Sequence, residues 1–418
     1  MNVQKLLIIG NGFDLQCGLP STFKDFIDNS VTKQKEKKFI SQIADLKDKK
    51  ADEIIGYVNN VSNFTELYFR EDEKHGINFW IYILLLKVND PSELSGTSWT
   101  DIETTIYEFL EKEVHVPATK ENLSIISFED LPWKNGELSL NSPNGTLSDH
   151  SMLTISSQRY SLAATIIVII ISIQRQVQVF NMSNSFINYI FEELKNLETD
   201  FQTYLETQIN DEYQTKANKL LNALADNKKF NLLSFNYTSP ENVNDNCAKT
   251  RHVHGSLLNH PIMGINPQLV DPTSKNFHFT KLSRIFSSKE SGFTNTQIFD
   301  DSINQIMFYG HSLTQADWNY FFSIFDHFNI YSSNIPLVFY YSIYDNADRE
   351  MIQTNTIDSV MKLLSAYAGY NPQIQNKVIG SQASNGATNT NPVSHFAMNN
   401  LISKLTLENR LRILPLSL

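Results

Sequence analysis

At 418 residues the chain exceeds one average domain and can bury a large core. Its 41% hydrophobic and 11% aromatic content is that of a globular protein, and its net charge of −11 argues against a non-specific nucleic-acid binder, which carries a basic face. Two cysteines, Cys17 and Cys247, make neither a disulfide framework nor a four-cysteine zinc site, and point to a reducing, cytoplasmic compartment.

The chain opens on a strand. Residues 3–9 contain the apolar run Leu6 to Ile9, too short for a secretory signal and followed by turn residues. It leads into Gly10, Asn11, Gly12, Phe13 and Asp14, then Gly18, Leu19, Pro20 and Ser21. A buried strand ending in Gly-x-Gly is how many α/β proteins bring backbone N–H groups to a phosphate. The third glycine of the dinucleotide fingerprint is missing, because Leu15 occupies its place. Asp14 reads equally as a helix cap or a ligand contact.

A helix is expected next, with Ser21 or Thr22 as N-cap. Residues 31–53, dense in Lys, Asp and Glu, read as a solvated helix face. Another helix is expected to start at Ser98, where Thr100 and Glu103 fit the capping-box spacing. Residues 130–158 are rich in loop formers. The apolar segment Leu162 to Ile173 is about a dozen residues, short of the roughly twenty needed to span a membrane, and reads as a buried core element. From 185 to 226 the period is helical: Phe186, Ile190 and Leu194 share a face, as do Leu197, Phe201 and Leu205.

After Asn227 strands return. Phe230–Phe235 ends at Asn236, Tyr237 and Thr238, and Arg251–Leu257 is a short strand and turn carrying His252, His254 and Gly255. Ile306–Tyr309 ends at Gly310, His311, Ser312 and Leu313, and Leu337–Tyr341 precedes a helix over Ile352–Tyr367. Asp317 is placed to cap a helix starting near Gln315. The repeated order strand, polar turn, helix implies an α/β fold with a Rossmann-like, mostly parallel sheet. Its nucleotide-binding core is expected from residues 1–27 plus 227–418, with a mainly helical insertion at 28–226. In such sheets ligands bind beyond the carboxyl ends of the strands, where all these polar clusters fall.

These segments resemble the AbiH family of phage abortive-infection proteins. The resemblance is carried by Gly10 to Asp14 with Gly18 to Pro20, by Trp99, Asp101 and Glu103, and by Phe235 to Thr238 with His252 to Gly255. Tyr309 to Leu313 with Asp317 and Trp318 completes it. A more distant resemblance is to sirtuins and SIR2-like defence NADases. There the counterparts are Gly10, Gly12, Gly18, Leu19, Pro20, Phe23, Asn236, His254, Gly255 and Gly310 to Leu313. Thr238 stands where those proteins often carry Asp, and Phe13 and Asp14 replace a small residue and Ser. The deacetylases' zinc-binding cysteines are absent, which argues against a protein deacylase.

The resemblance implies an anti-phage protein that binds NAD and cleaves it to nicotinamide and ADP-ribose. It implies Asn236 as the residue that positions ribose or water and His254 as the base. It puts the nucleotide against Gly10, Asn11, Gly12, Phe13, Asp14, Gly18, Pro20, Gly310, His311, Ser312 and Asp317. NAD is expected as substrate or ligand and no metal is expected. A phage-derived trigger or partner protein and a homo-oligomer are further expectations, and a membrane is not. Two alternatives stay open: a nucleotide-binding sensor without catalysis, and a metal-dependent hydrolase or nuclease using His252 and His254, which alternate on a strand and so share a side.

Overall fold

The computed structural model describes residues 4–30, 78, 80–81, 99–110, 133–134, 137–138, 184–240, 244–287, 297–343, 348–371 and 400–416. The expected charged face at 31–53, the apolar segment 162–173 and most of 130–158 lie outside these residues. The chain divides into two compact units: 1–21, 204–262 and 285–418 form the first, and 22–203 with 263–284 the second.

The first unit is built on a six-stranded, all-parallel sheet. Its strands are β1 (Lys5–Ile9), β4 (Phe230–Ser234), β5 (Cys247–His252), β6 (Gln305–Tyr309), β7 (Leu337–Ser342) and β8 (Leu411–Leu416). The two intervening strands, β2 (Trp133–Lys134) and β3 (Glu137–Leu138), form a separate antiparallel pair. The sheet order is β5-β4-β1-β6-β7-β8, which in chain order of its six strands reads 3-2-1-4-5-6. That is the doubly wound Rossmann order, with its switch point between β1 and β6.

The central strands are apolar runs because both faces are covered. All five residues of β1 and of β4 are buried. Leu6, Ile8, Leu233, Ile306, Phe308, Leu337 and Phe339 point to one face by strand alternation, and they share a core with α7 (Trp318–His327), α8 (Arg349–Tyr370) and residues 400–407. On the other face Tyr309 meets the edge of Phe13 from α1 (Asn11–Gln16). Buried Lys5, at the amino end of β1, pairs with Asp226.

β5 begins four residues earlier than the sequence suggests and stops at His252, since its exposed edge position needs no apolar run. β8 is the other edge, and its alternation of half-buried and exposed residues accommodates Pro415.

The second unit holds α2 (Phe23–Ser30), α3 (Trp99–Glu108), most of α4 (Asn184–Gln208) and α6 (Lys281–Ser287) up to Arg284. Thr22 is the N-cap of α2: its hydroxyl accepts from Asp25 N–H at 3.1 Å, and Asp25 accepts from Thr22 N–H at 3.1 Å. Thr100 lies inside α3, and Glu103 pairs with Lys281 at 2.8 Å. Trp80 donates Nε1–H to Ile190 O at 2.9 Å and meets Phe109 and Phe279 edge to face. Buried Glu198 pairs with Arg284 at 2.6 Å, while burial pushes its carboxyl up to about 6 against the pull of that guanidinium.

The helical stretch expected over 185–226 is two helices, α4 and α5 (Asp211–Leu224), the second in the first unit. Asn210 ends the continuity by capping α5, its side chain accepting from Tyr213 N–H at 2.9 Å. Among the described residues no helix is long and apolar enough to cross a membrane.

Candidate functional site

The carboxyl ends of β1, β4, β5 and β6 bring most of the expected residues together within the first unit. At the switch point the β1–α1 turn and the β6 turn interlock through backbone. Gly10 N–H donates to Tyr309 O at 3.1 Å and Gly12 N–H to Gly310 O at 2.7 Å. A Cβ on Gly12 would lie 2.8 Å from Gly310 Cα, so the glycines permit an approach of two main chains. Gly18 has another task. It takes φ +85° just beyond α1, and Gly18 N–H to Leu15 O and Leu19 N–H to Asp14 O, each 3.0 Å, make a Schellman stop. Pro20 O accepts from Tyr204 at 2.8 Å, and Asn11 Oδ1 accepts from Ser21 Oγ at 2.6 Å.

The β4 turn is fastened to this wall. Asn236 is buried and donates Nδ2–H to Gly10 O at 3.0 Å. Its own carbonyl lies 3.0 Å from His252 Nδ1. Asp14 is buried beneath the turn, where its carboxylate accepts from Tyr213 OH at 2.7 Å and from Thr238 Oγ1 at 2.9 Å. Burial pushes the Asp14 carboxyl up to about 6, and hydrogen bonds from Tyr213, Thr238 and Asn236 hold it from going higher. The sequence offers no sign of Tyr213, which sits 199 residues away on α5.

His252 and His254 do not act as a strand pair, because β5 has ended between them. His254 is buried and places Nε2 3.1 Å from Asp317 Oδ1. His311 places its Nε2 3.4 Å from Asp317 Oδ2, and its Nδ1 accepts from Leu313 N–H at 2.9 Å. Asp317 occupies the N-cap position of α7 yet makes no side-chain cap bond. Phe235 stands edge-on to both imidazoles, with ring centres 5.5 Å from His254 and 4.5 Å from His311. Ser312 is exposed at the tip of the β6 turn. The His254 turn depends on Gly255, at φ +81°, where a Cβ would lie 2.1 Å from His260 O.

Among the described residues no group of three or more His, Cys, Asp or Glu is placed to hold a metal ion. Neither cysteine is in a disulfide, and burial, helped by Asp14, pushes the Cys17 thiol up to about 12, which leaves it no nucleophilic character near neutrality. Of the segment around Trp99, the residue with a described partner is Glu103, in the second unit.

No curated protein and no solved structure shows significant similarity to the chain. The family model of bacteriophage abortive infection AbiH matches residues 6–341, from β1 into β7 and including every turn just described. That match covers most of the chain, and the protein belongs to the AbiH family of bacteriophage abortive-infection proteins.

Proposed function

We propose that this AbiH protein acts in phage defence by binding NAD at the carboxyl ends of β1, β4, β5 and β6 and hydrolysing it to nicotinamide and ADP-ribose. The observation that carries the reading is the bond from Asn236 Nδ2 to Gly10 O, which joins the β4 turn to the glycine turn at the switch point of a 3-2-1-4-5-6 sheet. This is where such folds take dinucleotides, and the SIR2-like pattern of Asn236 and His254 gives the site its chemistry.

In this reading the bond between ribose C1′ and the nicotinamide nitrogen breaks through an oxocarbenium-like state, and water supplies the new C1′–O bond. The electron pair leaves with nicotinamide, and the water proton passes to His254. The Nδ2 group of Asn236 is directed into the protein, toward Gly10 O and Asp14, so Oδ1 is the part that orients water or a ribose hydroxyl. Gly12 N–H is already bonded to Gly310 O, so the glycines contribute close backbone approach. Ser312 faces the adenosine side.

The test is NAD consumption by purified protein and by cells under infection. Wild type is expected to release nicotinamide, and His254→Ala and Asn236→Ala to lose at least about a hundredfold in rate while remaining folded. No loss of NAD from folded wild type, alone or in infected cells, removes the enzymatic reading. A second reading is a sensor that binds without turnover, favoured by Thr238 where SIR2-like proteins carry Asp. Calorimetric binding of NAD or ADP-ribose without product would establish it instead.

A further inference from the structure

We propose that Asp317 and His311 are positioning residues which fix the proton of His254 on Nε2 and so make Nδ1 its proton-accepting nitrogen. What the base acts on rests on the glycohydrolase reading; the arrangement of protons rests on the hydrogen bonds alone.

A carboxylate only accepts, so a ring nitrogen bonded to it carries a hydrogen. His254 Nε2 lies 3.1 Å from Asp317 Oδ1 and is therefore the N–H of that ring. His311 is fixed from its other end. Leu313 N–H points at His311 Nδ1 across 2.9 Å, which makes Nδ1 the acceptor and puts the hydrogen on Nε2, 3.4 Å from Asp317 Oδ2. One buried carboxylate thus receives the His254 N–H on one oxygen and faces the His311 N–H at 3.4 Å with the other.

The two rings are not equivalent. Protonating His311 at Nδ1 would break the Leu313 bond, in a turn where Leu313 holds φ +55° and its carbonyl is bonded to Trp318 Nε1 at 2.9 Å. A non-glycine residue at positive φ persists only where its surroundings dictate it. His311 is therefore held in one tautomer by the Leu313 bond, with its Nε2–H toward Asp317 Oδ2. In His254 the bond to Asp317 engages Nε2 and leaves Nδ1 as the nitrogen that accepts a proton. Phe235, edge-on to both, and Tyr320, 5.6 Å from His254, hold the ring planes and keep the pair in low dielectric.

The diversion of Asp317 from its helix supports the same assignment. An Asp at an N-cap ordinarily bonds the first-turn N–H groups. This one bonds His254 with one oxygen and turns the other toward His311.

The experiment is ¹⁵N-imidazole NMR of the full chain, with His254 assigned by difference against His254→Gln, alongside NAD turnover. Neutral wild-type His254 is expected to show a protonated Nε2 and a bare Nδ1. In Asp317→Asn the amide can donate to Nε2, which moves the proton to Nδ1 and lowers turnover by ~10³–10⁴-fold, as the equivalent exchange does in a Ser-His-Asp triad. His311→Phe is expected to leave a mixture of tautomers and slower turnover, and His311→Gln, which restores a donor, to recover both. A wild-type His254 protonated on Nδ1, or a tautomer unmoved by folded Asp317→Asn, overturns the proposal. If the tautomers follow expectation while wild type cleaves no NAD, the positioning roles stand and the glycohydrolase reading falls.

Discussion

Gly310→Ala is expected to yield no stably folded protein. Gly310 sits at φ +69°, and a Cβ there would lie 2.3 Å from Phe13 N and 2.7 Å from Gly12 C. Both are main-chain atoms of the β1–α1 turn, so no rotamer change relieves the clash. The two turns cannot part without breaking the 2.7 Å bond from Gly12 N–H to Gly310 O, and β1 and β6 are adjacent, paired strands behind them. The cost is expected to be about 5 kcal/mol or more, comparable to the whole stability of a typical domain. Gly12→Ala is expected to follow, since its Cβ would meet Gly310 Cα at 2.8 Å. Gly369→Ala is the control: it lies within α8 with nothing inside 4 Å of a new Cβ, and should stabilise by up to about 1 kcal/mol. Soluble yield and thermal unfolding decide the matter. A folded Gly310→Ala within about 1 kcal/mol of wild type would show that the interlock is not needed.

The same glycines illustrate what the sequence discloses. The Gly-x-Gly after an apolar strand marks a close approach of backbone, and the structure has one. What approaches is Gly310, 298 positions on by subtraction from Gly12, which no local pattern can reveal. The central strands were readable because burial on both faces demands unbroken apolar runs. β8 was not, because an edge strand interrupted by Pro415 looks like neither a buried run nor a clean alternation. The site was readable as a set of turns at strand ends. The side-chain pairings between turns were not: Asp317 looks like a cap from its position before α7, and only the fold brings His254 and His311 onto it.

The two residues at which the chain departs from the SIR2-like resemblance, Asp14 and Thr238, meet in the structure. Asp14 stands where those proteins carry Ser, and Thr238 where they often carry Asp. In the structure these two side chains are bonded to each other at 2.9 Å. A carboxylate from α1 and a hydroxyl from the β4 turn are both present, the reverse of the placement the resemblance implies.

That exchange sets up the second large effect, at Asp14. Asp14→Ala removes the acceptor of Tyr213 OH, Thr238 Oγ1 and the Asn236 amide in a buried site, and is expected to cost about 4–6 kcal/mol, since each stranded donor costs about 1–3. Asp14→Asn keeps Oδ1 for the hydroxyls and should recover most of this. It should also change the response to pH. Burial raises the folded Asp14 pKa from 3.8 to about 6, so the unfolded chain gives up this proton first. The contribution of Asp14 to stability is therefore full below pH 3.8 and falls as pH rises toward 6, by about 3 kcal/mol in all. Glu198 titrates in the same direction, so the difference between Asp14→Asn and wild type is the quantity to follow. It should move in favour of Asn by about 2 kcal/mol between pH 4 and pH 7 in denaturant unfolding, and a constant difference would remove the buried-carboxyl account. Thr238→Asp tests the exchange itself. Alone it sets two carboxylates together in a dry site and should be as damaging as Asp14→Ala. Combined with Asp14→Ser it restores one acid and one hydroxyl, and the double variant should be more stable than Thr238→Asp by several kcal/mol, the coupling expected of side chains in direct contact. Additive losses would mean that Asp14 and Thr238 answer to different partners.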